Sequence, residues 1–185
     1  MKTLILNGSP RKHGDTASLT DRLKALLSGD ITEVSAYRAD ISPCIDCRYC
    51  LTHSGCAIKD DMQAVYEALC CCDNVVIASP IYFSEVTGRL LDVCSRLQTV
   101  YCGRFFRGET PPEYKPKKGG IILAGGGDGS PDKALSTCRT LLHQMGCTDI
   151  FEPVFSLKTN TLPAAEDPAA GDMIAALAGY LNGGR

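Results

Sequence analysis

Residues 2–16 read KTLILNGSPRKHGDT: an apolar run ends at Gly8, and a helical pattern begins near Thr16. Such a run is typical of a buried strand, and the glycine and proline after it indicate a tight loop. The same order of apolar run, loop and amphipathic pattern occurs five times along the chain. This alternation predicts an α/β protein with a parallel sheet and helices on both faces. The predicted strands are residues 2–7, 31–37, 74–79, 120–124 and 149–155.

Length and composition limit the classes of protein to consider. The chain has 185 residues, 44% of them hydrophobic, and a formal charge of −2. This predicts a single domain, residues 1–185, with a cysteine-rich insertion loop at about 43–59. The charge argues against a broad nucleic-acid or anionic-membrane surface, and no apolar stretch approaches the length of a membrane span. Eleven cysteines without a recognisable signal peptide favour a reducing compartment, so we expect a cytoplasmic protein.

The loop after the first strand has the residues of an anion site. Ser9 and Thr16 offer hydroxyl donors, Arg11 offers a guanidinium fork, and the following helix adds unpaired N–H groups. The loop has neither the lysine spacing of a Walker loop nor the three-glycine dinucleotide fingerprint. We therefore expect a phosphate site of another kind. The alternative is a long turn in which Asp15 or Thr16 caps the helix.

Two motifs resemble those of the NADPH-dependent FMN reductase family: NGSPR at 7–11 with GDT at 14–16, and SPIYF at 79–83. Their order and spacing cover the chain from Met1 to about Gly127. The resemblance implies a flavodoxin-like three-layer sandwich whose five-stranded parallel sheet has the order 2-1-3-4-5. It also implies FMN as the cofactor, with its phosphate held by Ser9, Arg11 and Thr16.

Asp15 departs from the family pattern, which more often has asparagine at this position. An ionised aspartate cannot donate a hydrogen bond to phosphate. We therefore expect Asp15 to cap the helix or to contact the ribityl chain of FMN. Ala17, on the same turn, is also among the predicted cofactor-binding residues.

Two further loops are expected to hold the flavin ring, which needs apolar faces and a few donors along its edge. The resemblance implies that residues 80–84 line the ring; core or interface aromatics at Tyr82 and Phe83 are the alternative. Glycines after the fourth strand can approach a ligand closely. The predicted ring contacts are Pro80, Ile81, Tyr82, Phe83, Ser84, Gly126 and Gly127.

Four cysteines form a C-x2-C-x2-C-x5-C pattern: Cys44, Cys47, Cys50 and Cys56. Four thiolates in one compact loop suit a [4Fe–4S] cluster. The loop also looks like that of the iron–sulfur flavoproteins, a branch of the same family, in which it carries a cluster. Zinc and unmetallated thiols, either redox-active or structural, are the alternatives.

Together these features predict an FMN-dependent oxidoreductase of the NAD(P)H-dependent FMN reductase or quinone reductase type. It would pass electrons from NAD(P)H or reduced ferredoxin to a small acceptor such as a quinone, free flavin or oxygen. The chemistry belongs to FMN, so no catalytic side chain is predicted. The alternative is an iron–sulfur flavoprotein that acts as an electron carrier or redox sensor with little NAD(P)H turnover. The resemblance also implies a homodimer or homotetramer.

Overall fold

A computed structural model describes residues 1–110 and 115–183 of the chain. These residues form a parallel sheet in which the first five strands have the order 2-1-3-4-5, as predicted, and a sixth strand also pairs with the fourth. The strands are β1 (Lys2–Asn7), β2 (Asp30–Ser35), β3 (Asn74–Pro80), β4 (Lys117–Gly125), β5 (Cys147–Ile150) and β6 (Val154–Leu157).

Helices cover both faces of the sheet. They are α1 (Asp15–Leu26), α2 (Tyr49–Thr52), α3 (Met62–Cys71), α4 (Gly88–Ser95), α5 (Gln98–Phe106), α6 (Asp132–Gln144) and α7 (Pro168–Leu181), with a 3-10 turn at Ala164–Glu166. In the residues that the structure describes, no helix is both long and apolar enough to cross a bilayer.

The central strands β1, β3 and β4 are buried on both faces, which explains their continuous apolar runs. Alternate residues of a strand point to opposite faces: Leu4 and Leu6 pack in one apolar cluster with α3, α4 and α6, and Ile5 packs in the other with α1 and α7. All three side chains are almost completely buried. The predicted three-layer sandwich is therefore confirmed.

The fifth predicted strand differs from the structure, because it is divided into β5 and β6. Pairing with β4 slips by one residue between Lys117 and Lys118. It slips again near Pro153, since Gly119 lies opposite Ile150 but Ile122 lies opposite Val154. A proline cannot donate to a ladder and is tolerated at an edge or bulge. The structure thus has six strands where the sequence predicts five, because one edge strand is interrupted.

The apolar spacing over residues 86–101 predicts a single helix, but the structure has α4 and α5 with a break at Arg96 and Leu97. α5 then continues to Phe106, although the glycines, prolines and charges of residues 102–118 predict a loop there. Residues 111–114 of that predicted loop lie outside the described residues. The break places the Arg96 side chain beneath the cysteine-rich loop.

Arg96 holds both ends of the cysteine-rich loop. Its side chain is fully buried, and its guanidinium donates to both carboxylate oxygens of Asp60 at 2.7 and 3.2 Å. It also donates to the carbonyl of Ser42 at 2.8 Å and to that of Ile58 at 3.1 Å. The Tyr66 hydroxyl donates to the Arg96 carbonyl at 2.8 Å. One cation therefore closes a loop that has little regular structure of its own.

The charge on Asp60 is stabilised by this arrangement. Burial by itself would raise the pKa of its carboxyl group, but hydrogen bonds from Arg96 and from the backbone amides of Ser42 and Met62 outweigh burial and lower the pKa. Asp60 consequently contributes stability that is present above the pKa of the unfolded chain, about 4. That contribution disappears as the pH falls through the lower, folded-state value.

We predict that Asp60→Asn lowers the free energy of unfolding at pH 7 by about 2 kcal/mol, since it weakens charged hydrogen bonds. The difference from the wild type should shrink below about pH 4, where the wild-type carboxylate becomes protonated. Urea unfolding at pH 7 and at lower pH measures both effects. Asp46→Asn, which alters an exposed carboxylate of the same loop, is the control and should change stability little. A constant difference at every pH would contradict the prediction.

Candidate cofactor site

The carboxyl ends of β1, β3 and β4, with the loop after β6, surround a cleft of about 480 Å³, which we call the cofactor cleft. The structure brings eight predicted residues to the cleft. They are Ser9, Arg11, Asp15 and Thr16 from the first loop, Pro80, Ile81 and Tyr82 from the second, and Gly126 from the third.

A chain of polar contacts fixes the first loop at its start. The side-chain carbonyl of Asn7 accepts from the Ser9 amide at 2.8 Å, and its amide donates to Glu33 at 2.8 Å. Glu33 in turn accepts from the Lys24 ammonium at 2.6 Å. The Ser9 hydroxyl contacts the backbone of Arg11, donating to its carbonyl at 3.1 Å and accepting from its amide at 3.3 Å. These hydrogen bonds between protein groups therefore fix the conformation of the first loop.

The start of α1 is suited to an anion. Gly14 is the N-cap, and no side chain caps the helix, so the first-turn amides keep no intrahelical partner. The Thr16 side chain is buried, and in residues 1–110 and 115–183 its hydroxyl has no hydrogen-bond partner. Unpaired amides and the helix dipole both favour negative charge at this point. These donors fit the phosphate of FMN.

Asp15 does not cap α1. Its carboxylate accepts from the Ala164 amide at 2.9 Å and so joins the first loop to the 3-10 turn before α7. This removes helix capping, one of the two roles that the sequence suggested for Asp15. The residue also lines the cofactor cleft, so contact with the ribityl chain stays a prediction.

Residues 82–85 form a two-residue hairpin at the end of the second loop. Tyr82 and Glu85 exchange backbone hydrogen bonds of 2.8 and 3.0 Å. Phe83 and Ser84 both have left-handed φ angles, 51° and 63°, as a type I′ turn requires. This conformation is unusual for a bulky residue. The Ser84 carbonyl accepts from the Ala134 amide at 2.9 Å, so the turn is attached to α6.

Four predicted cofactor residues do not line the cofactor cleft. Ala17 is buried in α1, Phe83 is fully exposed, and Ser84 and Gly127 lie on loops beside the cleft. Their predicted contacts with FMN are not tested by this placement.

The structure adds Thr159 and Asn160, which the sequence reasoning missed. The Thr159 amide donates to the Gly125 carbonyl at 3.0 Å, and the Asn160 amide donates to that of Gly126 at 3.3 Å. A Cβ atom on Gly126 would lie 2.8 Å from the side-chain oxygen of Asn160, so a larger residue at this position would require the Asn160 side chain to move. The available signal was the polar pair shortly after a strand, where ligands bind in such sheets.

A second cavity, of about 610 Å³, lies in the cysteine-rich loop; we call it the cysteine cavity. It is lined by all four predicted metal ligands, Cys44, Cys47, Cys50 and Cys56, and also by Cys102 of α5. Among the described residues, no three or more Cys, His, Asp or Glu side chains are arranged as a metal site. The four predicted ligands thus share a cavity without converging on one point, and the cluster stays a prediction.

The family model for NADPH-dependent FMN reductases matches residues 1–161. The chain belongs to this family. Membership confirms the resemblance carried by the NGSPR and SPIYF motifs, and with it the predicted class of NAD(P)H-dependent FMN oxidoreductase.

Individual proteins agree with this assignment. An iron–sulfur flavoprotein of Methanocaldococcus jannaschii is 32% identical over 74% of this chain and 68% of its own length. One of Archaeoglobus fulgidus is 36% identical over 66% of this chain and 60% of its own length. The chain thus spans about two thirds of these relatives. An azoreductase of Bacillus anthracis has the same fold, with a TM-score of 0.68, 14% identity and coverage of 98% and 99% of the two chains.

We predict that Arg11→Ala weakens FMN binding by about 10- to 150-fold, because a charged hydrogen bond to phosphate is worth about 1.5–3 kcal/mol. Titration of FMN-free protein with FMN, followed by flavin fluorescence, measures the dissociation constant. Lys12→Ala is the matched control, since this neighbouring cation is exposed and does not line the cofactor cleft. Equal affinity of the Arg11→Ala variant and the wild type would contradict the assigned role.

Proposed function

We propose that this protein binds FMN in the cofactor cleft and passes electrons from NAD(P)H to a small acceptor such as a quinone, a free flavin or oxygen. Reduced ferredoxin is the alternative donor. The observation that carries the proposal is the uncapped start of α1, where Thr16, whose hydroxyl has no partner among the described residues, and Arg11 line one cleft. This set of donors matches a phosphate monoester and leaves the adjoining Pro80-Ile81-Tyr82 segment for an apolar ring.

FMN, when bound, supplies the electron-transfer chemistry. The protein's own residues bind and orient it. Ser9, Arg11 and Thr16 would hold the phosphate, whereas Ile81 and Tyr82 would present apolar surface to the ring. The amides of Phe83 and Ser84 have no partner among the described residues, and they are suitable donors for polar atoms on the ring edge.

Steady-state oxidation of NADH and NADPH by the FMN-loaded protein tests the proposal. We expect turnover with at least one acceptor from a panel of a quinone, an azo dye, free FMN and oxygen. The Arg11→Ala variant should lose activity at limiting FMN and regain it with excess FMN, because it loses affinity rather than chemistry. Absence of turnover with either nucleotide and every acceptor would refute the reductase function.

A second function, as an iron–sulfur flavoprotein that carries electrons with little NAD(P)H turnover, is favoured by the cysteine cavity. Its four loop cysteines lie around one space, and both of the relatives described above are iron–sulfur flavoproteins. We propose these four cysteines as the ligands of a [4Fe–4S] cluster, for which four thiolates are the usual set. Because the four thiols do not converge on one point among the described residues, cluster binding would require a change in the loop.

Iron and sulfide analysis with a visible spectrum, on protein purified without oxygen, tests the cluster. We expect about four irons per chain and a broad absorbance beneath the flavin bands. Cys47→Ser should lower the iron content, whereas Cys71→Ser, which removes an exposed thiol outside the loop, should not. A flavin spectrum without iron would refute the cluster and leave the reductase function intact.

The cellular location and the oligomeric state of the protein form a further part of the proposal. All eleven cysteines are free thiols, which suits the reducing cytoplasm. Exposed aromatic side chains on two surfaces, with exposed fractions of 44% for Tyr82, 57% for Phe105 and 62% for Phe106, support a homodimer or homotetramer. Sedimentation of the FMN-loaded protein would determine the number of chains.

A further inference from the structure

Glu33 of β2 does not line the cofactor cleft, yet it contacts the residue from which the first loop starts. Ile5 of β1 lies opposite Glu33, and Asn7 follows two residues later. Because alternate residues of a strand point to the same face, Asn7 and Glu33 share the face of the sheet that α1 covers. One carboxylate oxygen of Glu33 accepts from the Asn7 side-chain amide at 2.8 Å.

This contact determines which end of the Asn7 carboxamide faces the first loop. Asn7 is only 3% exposed, so its polar atoms need partners within the protein. A carboxamide donates from its nitrogen and accepts at its oxygen, whereas an ionised carboxylate only accepts. With Glu33 on the nitrogen side, the Asn7 oxygen is left to accept from the Ser9 amide at 2.8 Å. The reverse orientation would place acceptor against acceptor at Glu33 and donor against donor at Ser9.

Lys24 of α1 holds the carboxylate of Glu33 in place. Its ammonium lies 2.6 Å from the second carboxylate oxygen, which leaves the first oxygen for Asn7. The same ammonium lies 2.7 Å from Asp21. The contacts therefore run from α1 through an edge strand to the end of β1, and they reach the first loop only through Asn7.

We propose that Glu33 is a positioning residue for the phosphate of FMN: it orients Asn7, and Asn7 shapes the loop that presents Ser9 and Arg11. This inference rests on the proposed binding of FMN in the cofactor cleft. It assigns to an edge-strand residue, outside the cleft, a part of the affinity for phosphate.

The sign of the effect separates positioning from simple electrostatics. A carboxylate near a phosphate site repels the ligand, so its removal should strengthen binding if charge alone matters. Glu33→Met removes the acceptor at similar side-chain length. We expect it to weaken FMN binding by about fivefold, the factor that corresponds to one ordinary hydrogen bond. Glu33→Gln keeps an acceptor oxygen for Asn7 and should bind FMN nearly as tightly as the wild type.

Exchanging donor and acceptor between the two partners gives a sharper test. Asn7→Asp still accepts from the Ser9 amide but places two carboxylates against each other, so FMN affinity should fall. Adding Glu33→Gln supplies a donor to the new aspartate and restores the wild-type net charge, and most of the affinity should return. Asp21→Asn in the Asn7→Asp background is the matched control. It restores the same net charge at a residue that contacts Lys24 and not Asn7, and it should not restore affinity.

Fluorescence titration of the FMN-free, full-length variants with FMN and with riboflavin measures these effects. Riboflavin lacks the phosphate, so its affinity should be the same in all variants, whereas a general disturbance of the fold would weaken both ligands. Urea unfolding of the same FMN-free samples reports on the fold independently of the ligand.

Three results would overturn the inference: FMN affinity of Glu33→Met equal to or above that of the wild type, equal losses for FMN and riboflavin, or rescue by Asp21→Asn as complete as by Glu33→Gln. Each of these would leave the proposed function intact, because the wild type would still bind FMN. A wild-type protein that binds no FMN would refute the proposed function and this inference with it.

Discussion

The parallel pairing of β1 with β3 is the constraint on which the cofactor cleft depends. Asn7 lies opposite Ala78, and the Gly8 amide continues the ladder by donating to the Ala78 carbonyl at 2.8 Å. The Thr87 hydroxyl then donates to the Gly8 carbonyl at 2.9 Å, and a Cβ on Gly8 would clash with that hydroxyl. The two loops consequently leave the sheet side by side. β2 follows on one side of β1 and β3 lies on the other, which is the switch point where such sheets bind ligands.

The irregular loops of the two sites are held in their conformations in different ways. The first loop is short and lies between a strand and a helix, so Asn7 shapes it together with the backbone. The cysteine-rich loop contains only the single turn α2 as regular structure, and its ends must be held from outside. Arg96 does this from within the core, and the cost of burying its charge is offset because Asp60 and two carbonyls face it.

Sequence reasoning succeeded where the signal was local. β1 ends at Asn7 as expected, because an apolar run and the glycine and proline after it are adjacent in the chain. Asn160 and Cys102 were missed as site residues because their roles depend on which elements meet in space. Arg96 falls within a pattern typical of one amphipathic helix, where a charged residue is expected to face solvent. Its burial depends on Asp60, 36 residues earlier, which no local pattern reveals.

The interrupted edge formed by β5 and β6 has a consequence for the solution behaviour of the molecule. A long, regular edge strand presents a row of unpaired backbone groups and can recruit a strand from another molecule. Here two slips of register and Pro153 divide that row into two pieces of four residues each. The edge is thus a poor template for intermolecular pairing, and a sheet built from highly apolar strands is protected on this side against growth into aggregates.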